Sequence, residues 1–217
     1  MLTLIKREIE ALAVYMLLPL VLALVVIALV ISSETFARSN YRQLGVSSGV
    51  VLSFWGISGF LSLYFAGIGS YQSYTDRNAK VSTFLCTLAT TRHQIFAAKT
   101  IAAVVYILIV LILLAGAYVI LLMILPSRPV LLNPSGLLGR MIFTAFWAHL
   151  AGYGLGLLLG WNQGRIIPTF GPLLLSIVIL CMILIKGFSL SAGVVLMLAA
   201  AAALGRAWQK FSTMPLQ

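Results

Sequence analysis

Six apolar runs, separated by short polar breaks, take up most of this chain of 217 residues. They cover roughly 13–33, 46–69, 100–125, 141–160, 166–185 and 187–205. A helix needs about 20 mostly apolar residues to cross the hydrocarbon core of a bilayer, where its backbone groups must be paired within the segment itself. Each run therefore reads as a spanning helix. The fold class is all-α: a polytopic membrane protein with six transmembrane helices in a single domain, 1–217. With 62% hydrophobic and only 8% charged residues, the chain stands far from soluble domains, in which about a quarter of residues are charged. The last two runs are divided only by Lys186 and Gly187, as in a tight hairpin or a long broken helix. The first run is long enough to span and no small-residue cleavage site ends it, so it reads as a helix and not as a cleaved signal peptide.

Before the first run, residues 1–12 place Leu2, Ile5, Ile9 and Leu12 at helical spacing with Lys6, Arg7, Glu8 and Glu10 between them. That pattern predicts an N-terminal amphipathic helix lying in the membrane interface. The formal net charge is +10. Its Lys and Arg residues sit in the breaks between apolar runs, where they act as topology determinants and lipid-headgroup contacts; no nucleic-acid partner is expected. With both termini inside, the inner face holds nine of these residues (Lys6, Arg7, Arg77, Lys80, Arg92, Lys99, Arg165, Arg206 and Lys210). The outer face holds five: Arg38, Arg42, Arg128, Arg140 and Lys186. The bias orients both termini and residues 71–99 toward the cytoplasm. Cys86 and Cys181 fall in a cytoplasmic loop and a span, and two cysteines alone make neither a metal site nor an expected disulfide here.

Residues 71–99 are the one sizeable polar island, carrying Asp76, Arg77, Lys80, Arg92, His93 and Lys99. Within it, Phe84, Leu85, Leu88 and Ala89 give one apolar face over about two turns, with Ser82, Thr83, Thr87, Thr90 and Thr91 around it. Asp76 and Arg77 stand where the second span leaves the membrane, and Arg92 and Lys99 flank the start of the third. In this order the island resembles that of the membrane subunits of ATP-binding cassette exporters of the type-2 class. There an acidic-basic pair ends the second span, a short coupling helix with a Leu-rich core follows, and an Arg precedes a Lys that opens the third span. The matching residues are Asp76-Arg77, Phe84-Leu85-Cys86-Thr87-Leu88, Thr91-Arg92-His93-Gln94-Ile95 and Lys99. The likeness extends to the N-terminal helix, the six-span layout and the cytoplasmic termini. Many such permeases have a Pro just before the Arg, where this chain has Ala89, Thr90 and Thr91.

The resemblance implies a coupling helix over 82–92 that seats Phe84, Leu85, Leu88 and Arg92 on a separate ATPase subunit. Asp76, Arg77 and Lys99 would then fix the geometry of the loop at the membrane surface. The sequence has no GxxxxGK[ST] phosphate loop and so shows no nucleotide-binding domain. ATP and Mg are expected on the partner, two copies of which would serve two permease halves. The second half would be another copy of this chain or a related permease. The expected place is the cytoplasmic membrane of a bacterium, and the expected work is substrate export with no catalysis by this chain itself. Its outer connection between the last two spans is too short for the helical external segment of the larger transporters.

The second span contains Gly56, Ser58, Gly59 and Ser62, and the fourth has Gly152, Gly156 and Gly160 at four-residue spacing. Small residues let helices approach closely, so these mark packing faces or the lining of a pathway. Trp147, Trp161 and Trp208 read as interface anchors near span ends. His149 is the exception among spans with few ionisable groups, which suits a lipid-like, peptidic or hydrophobic substrate better than a small cation. An enzymatic alternative exists: Gly56-Ile57-Ser58-Gly59 and Ala148-His149-Leu150-Ala151-Gly152 are similar to the serine and histidine segments of rhomboid intramembrane proteases. A Ser58–His149 pair could support acyl transfer. Against it stand the single span upstream of Ser58, the long insertion between the two residues and the lack of an HxxxN segment for oxyanion donors. A non-catalytic membrane scaffold is the third class, and no feature of the sequence favours it.

Overall fold

The computed structural model describes residues 3, 5–10, 15, 21, 28, 46–78, 91–124, 134–161, 178 and 189–213. All regular structure among them is helical. Four long helices carry the architecture: α1 (Val46–Asn78), α2 (Arg92–Ile124), α3 (Pro134–Trp161) and α4 (Leu190–Thr213). Three stretches within them are long and apolar enough to cross a membrane: Arg92–Ala117, Leu138–Trp161 and Leu190–Thr213. The expected second span, 46–69, is helical within α1 but is not one of these three stretches. The expected spans 13–33 and 166–185 lie outside the described residues except for single positions, as does the core of the expected coupling helix, residues 79–90.

The helices overrun the apolar runs, because local capping and not hydropathy sets their ends. Thr91 is non-helical and stands at the N-cap of α2. The Gln94 amide N–H donates to Thr91 Oγ1 at 3.3 Å, and the Thr91 N–H donates to Gln94 Oε1 at 3.1 Å. This is a reciprocal capping box, which satisfies two of the donors that a helix start leaves open. Consequently α2 begins eight residues before the apolar run, and Arg92, expected to close the helix 82–92, is the first residue of α2. Ser189 caps α4 by a single bond, its hydroxyl accepting the Ala192 N–H at 3.2 Å. Pro134 opens α3, where a missing N–H costs nothing. At its other end α1 continues past residue 69 to Asn78, so Gln72, Ser73 and Asp76 are helical.

α3 is the central helix. It packs against α1, α2 and α4, and residues 148–157 are buried without a break. Along the α1–α3 seam, Gly152 faces Ser62, Gly156 faces Ala66 and Gly160 faces Ser70 and Ser73. A Cβ on any of the three would run into the α1 backbone, so the four-residue spacing brings the two helices into near backbone contact. Ser62 adds a hydrogen bond from its hydroxyl to the Ala148 carbonyl at 3.0 Å. On the other side of α3, Gly154 meets Ala203 and Leu204, Gly193 of α4 meets Phe143, and Trp161 packs on Phe211. These pairings run in order, so α1, α3 and α4 point the same way; α2 points the opposite way, its first turns lying beside the last turns of the other three. Trp147, expected at a span end, is mid-helix and half-buried against Phe143 and Phe146.

The backbones of α1 and α2 do not approach one another among the described residues. Residues facing away from the bundle are large and apolar: Ile112 and Leu198 are more than 60% exposed, a surface that suits lipid and not water. The seam yields a direct prediction. Gly156→Leu must push against backbone and should destabilise the bundle by about 1–3 kcal/mol or more. Gly116→Ala, with open space around it, should leave stability unchanged or slightly raised. Unfolding of both variants in mixed micelles checks this.

Candidate functional site

One end of the bundle collects most of the charged residues among those described. At its centre is Lys99, in the third turn of α2 and only 6% exposed. Its ammonium lies 3.0 Å from the Asp76 carboxylate at the end of α1 and 3.5 Å from the Glu8 carboxylate of the N-terminal segment. Both acids are themselves buried. Glu8 also faces Arg7 at 3.9 Å, and Arg7 is half exposed. Lys6 and Glu10 form a further pair at 3.9 Å that is open to solvent and worth little.

The cluster extends inward through neutral groups. The Tyr153 hydroxyl of α3 donates to Gln72 Oε1 at 2.7 Å and lies 3.4 Å from the carbonyl oxygen of Lys99. Residues 5–10 are helical, Ile9 packs on the main core, and the Ile9 carbonyl accepts the Tyr106 hydroxyl at 2.5 Å. Tyr15 stacks near Tyr71 with ring centroids 5.3 Å apart, and its carbonyl accepts the Tyr64 hydroxyl. The N-terminal segment is therefore anchored on α1 and α2 through Glu8, Ile9 and Tyr15. An amphipathic helix lying free in the interface would leave Glu8 in solvent.

The first two turns of α2 reach α4 as well. Arg92 Nη1 donates to the Ser212 carbonyl at 2.9 Å. His93 and Phe96 stack on Trp208, Phe96 also meets Phe211, and Ile95 is buried with Trp161 and Phe211 in a cluster separate from the main core.

Of the residues singled out by sequence, Asp76 and Lys99 are joined directly. Arg77 is in the last turn of α1, with its side chain outside the described part. Phe84, Leu85 and Leu88 lie outside the described residues. Gly56 is exposed with nothing near it, while Ser58, Gly59 and Ser62 are buried. Gly152, Gly156 and Gly160 serve the contact with α1. Ser58 and His149 do come together, but through the backbone: His149 Nε2 bonds the Ser58 carbonyl oxygen at 3.2 Å. A carbonyl only accepts, so Nε2 carries the proton. The Ser58 hydroxyl and His149 Nδ1 have no partner among the described residues, and both side chains are fully buried. The hydroxyl–imidazole bond that a nucleophile and its base need is not present.

Glu8, Gln72, Tyr153 and the Trp208–Phe211 pair were not anticipated as parts of a site. For Glu8 a signal existed: Ile5, Glu8, Ile9 and Leu12 share one helical face, so the acid sits inside an apolar stripe. Gln72 and Asp76 likewise continue the stripe of Phe65 and Gly69.

No protein-family model matches the chain, and no curated protein or solved structure matches it significantly.

Removing one partner from a buried ion pair leaves an uncompensated charge, at a cost of about 3–5 kcal/mol. Lys99→Met strands two carboxylates and should lose stability on that scale. Glu8→Gln should cost clearly less, because Lys99 keeps Asp76. Denaturant titration in mixed micelles checks the order of the two.

Proposed function

We propose that this chain is the permease subunit of an ATP-driven exporter of the type-2 ATP-binding cassette class, seated in the cytoplasmic membrane of a bacterium with both termini inside. One observation carries the reading: the buried Lys99–Asp76–Glu8 cluster ties together the two helix ends from which residues 79–90 emerge. A short loop that receives force from a soluble partner moves the spans only if its two stems cannot yield independently. Here the stems belong to helices whose backbones are otherwise apart, and a buried ion pair bridges them. The partner would be an ATPase subunit, in two copies, which binds ATP and Mg. It would grip Phe84, Leu85 and Leu88, while a second permease copy or a related permease completes the membrane unit alongside the lipids.

Two further features support this reading. The N-terminal segment, the end of α1, the start of α2 and the end of α4 lie at one end of the bundle, as expected for a face turned to the cytoplasm. In addition, α3 ends and α4 begins at opposite ends, which a crossing over 166–185 would produce. The protease alternative gains no support from the contact of His149 with the Ser58 backbone.

The test is a mild-detergent pull-down of the tagged chain from its native host, with partners identified by mass spectrometry. A stoichiometric ATPase subunit is the expected result. Leu88→Asp and Phe84→Asp should each reduce its recovery at least tenfold, because a charge would face an apolar groove. Recovery of the wild-type chain without an ATPase, or full recovery of the ATPase by both variants, would overturn the assignment.

A further inference from the structure

The first turns of α2 have two attachments, and the ion cluster accounts for only one of them. The other runs to the carboxyl end of α4. Arg92, the first residue of α2, reaches the Ser212 carbonyl, one of the last acceptors of α4, where a helix leaves its carbonyls unpaired and favours a cation. One turn further in, Phe96 lies between Trp208 and Phe211, at centroid distances of 5.3 and 5.9 Å. The His93 ring covers the outer side of Trp208 at 4.4 Å. Ile95 and Phe211 are 1% and 5% exposed, so this is a closed apolar contact and not a surface touch. Trp161 joins it from the end of α3.

Position gives this contact its meaning. It is made by residues 92–96, close behind residues 79–90 in the chain. Whatever displaces that loop displaces Arg92, His93 and Phe96 first. Ile95, Trp161 and Phe211 form a small cluster of their own, and Phe96 also packs on the main core, which includes Ala207, so the start of α2 and the end of α4 are packed together at two levels.

We propose that the carboxyl-terminal two turns of α4 are a second output of the coupling loop. Arg92 and Trp208 act as positioning residues that make the end of α4 move with the start of α2. This rests on the transporter reading above, and it assigns Arg92 to α4 where the sequence resemblance assigned it to ATPase docking.

The experiment uses the purified complex of permease and ATPase in lipid nanodiscs, with Cys86 and Cys181 replaced by serine. Spin-label distances are read with and without a non-hydrolysable ATP analogue and Mg. One label pair, Phe60→Cys with Ile101→Cys, follows the start of α2 against α1. A second, Phe60→Cys with Gln209→Cys, follows the end of α4; all three positions are exposed. Both distances should change by roughly 2–5 Å on addition of the analogue. In Arg92→Gln/Trp208→Ala the first change should persist and the second should vanish. Arg92→Gln alone should reduce the second change, and Trp208→Phe, which keeps a ring on Phe96, should preserve it. A wild-type complex in which only the first pair responds would overturn this inference and leave the transporter reading standing. So would a second change that survives in both Arg92→Gln and the double variant. Failure of any ATPase to bind, or of either pair to respond, would overturn the transporter reading and this inference with it.

Discussion

A lysine ammonium taken out of water must be matched by anionic charge close at hand, and Lys99 imposes that demand at the end of an otherwise apolar bundle. Its two carboxylates, from Glu8 and Asp76, stand 91 and 23 positions away from it along the chain. At distances of 3.0 and 3.5 Å the arrangement holds the end of α1, the start of α2 and the N-terminal segment against one another. The rest of that end is arranged around the same first three turns of α2. Tyr153 approaches the Lys99 carbonyl from α3, and Arg92, His93 and Phe96 hold α4. Buried ion pairs contribute little net stability compared with an apolar core, but they discriminate strongly against misaligned arrangements.

The two halves of the bundle are held by different physics. Toward the middle, Gly152, Gly156 and Gly160 let α3 lie against α1 so closely that dispersion and one hydroxyl bond suffice. In lipid there is little hydrophobic drive between helices, and close backbone approach takes its place. At the charged end the contacts are polar and aromatic and reach across larger gaps by long side chains. A seam of small residues resists change of separation, whereas an end held by Lys, Arg and aromatic side chains can shift as a unit. That division suits a device driven from one end.

Much of this was legible in the sequence. The apolar runs predicted the all-helical class and the regions of α2, α3 and α4, since backbone pairing in lipid leaves a helix little alternative. The glycine spacing of α3 predicted a close-packed face, and Asp76 and Lys99 stood out as charges at span ends. What hydropathy could not see were the helix boundaries. The T-R-H-Q capping box at Thr91 and the continued helix through Asp76 are local hydrogen-bond effects, to which an apolar-run count is blind. Partners were less legible still. Glu8 looked like one more polar residue of a surface helix, because its stripe position matters only once Lys99 lies opposite. Ser58 and His149 enter the sequence reading only through a disfavoured enzymatic alternative, and a short motif does not say whether a hydroxyl or a carbonyl faces the imidazole.

The claim on which the account turns is that Asp76 and Lys99 form one buried, mutually dependent unit. A double-mutant cycle with Asp76→Asn, Lys99→Met and the double variant, followed by unfolding in mixed micelles, measures that dependence directly. The account predicts a coupling of about 2 kcal/mol or more, well above the roughly 0.2–1 kcal/mol of exposed pairs, with the double variant more stable than Lys99→Met alone. Additive effects, within about 0.5 kcal/mol, would contradict it.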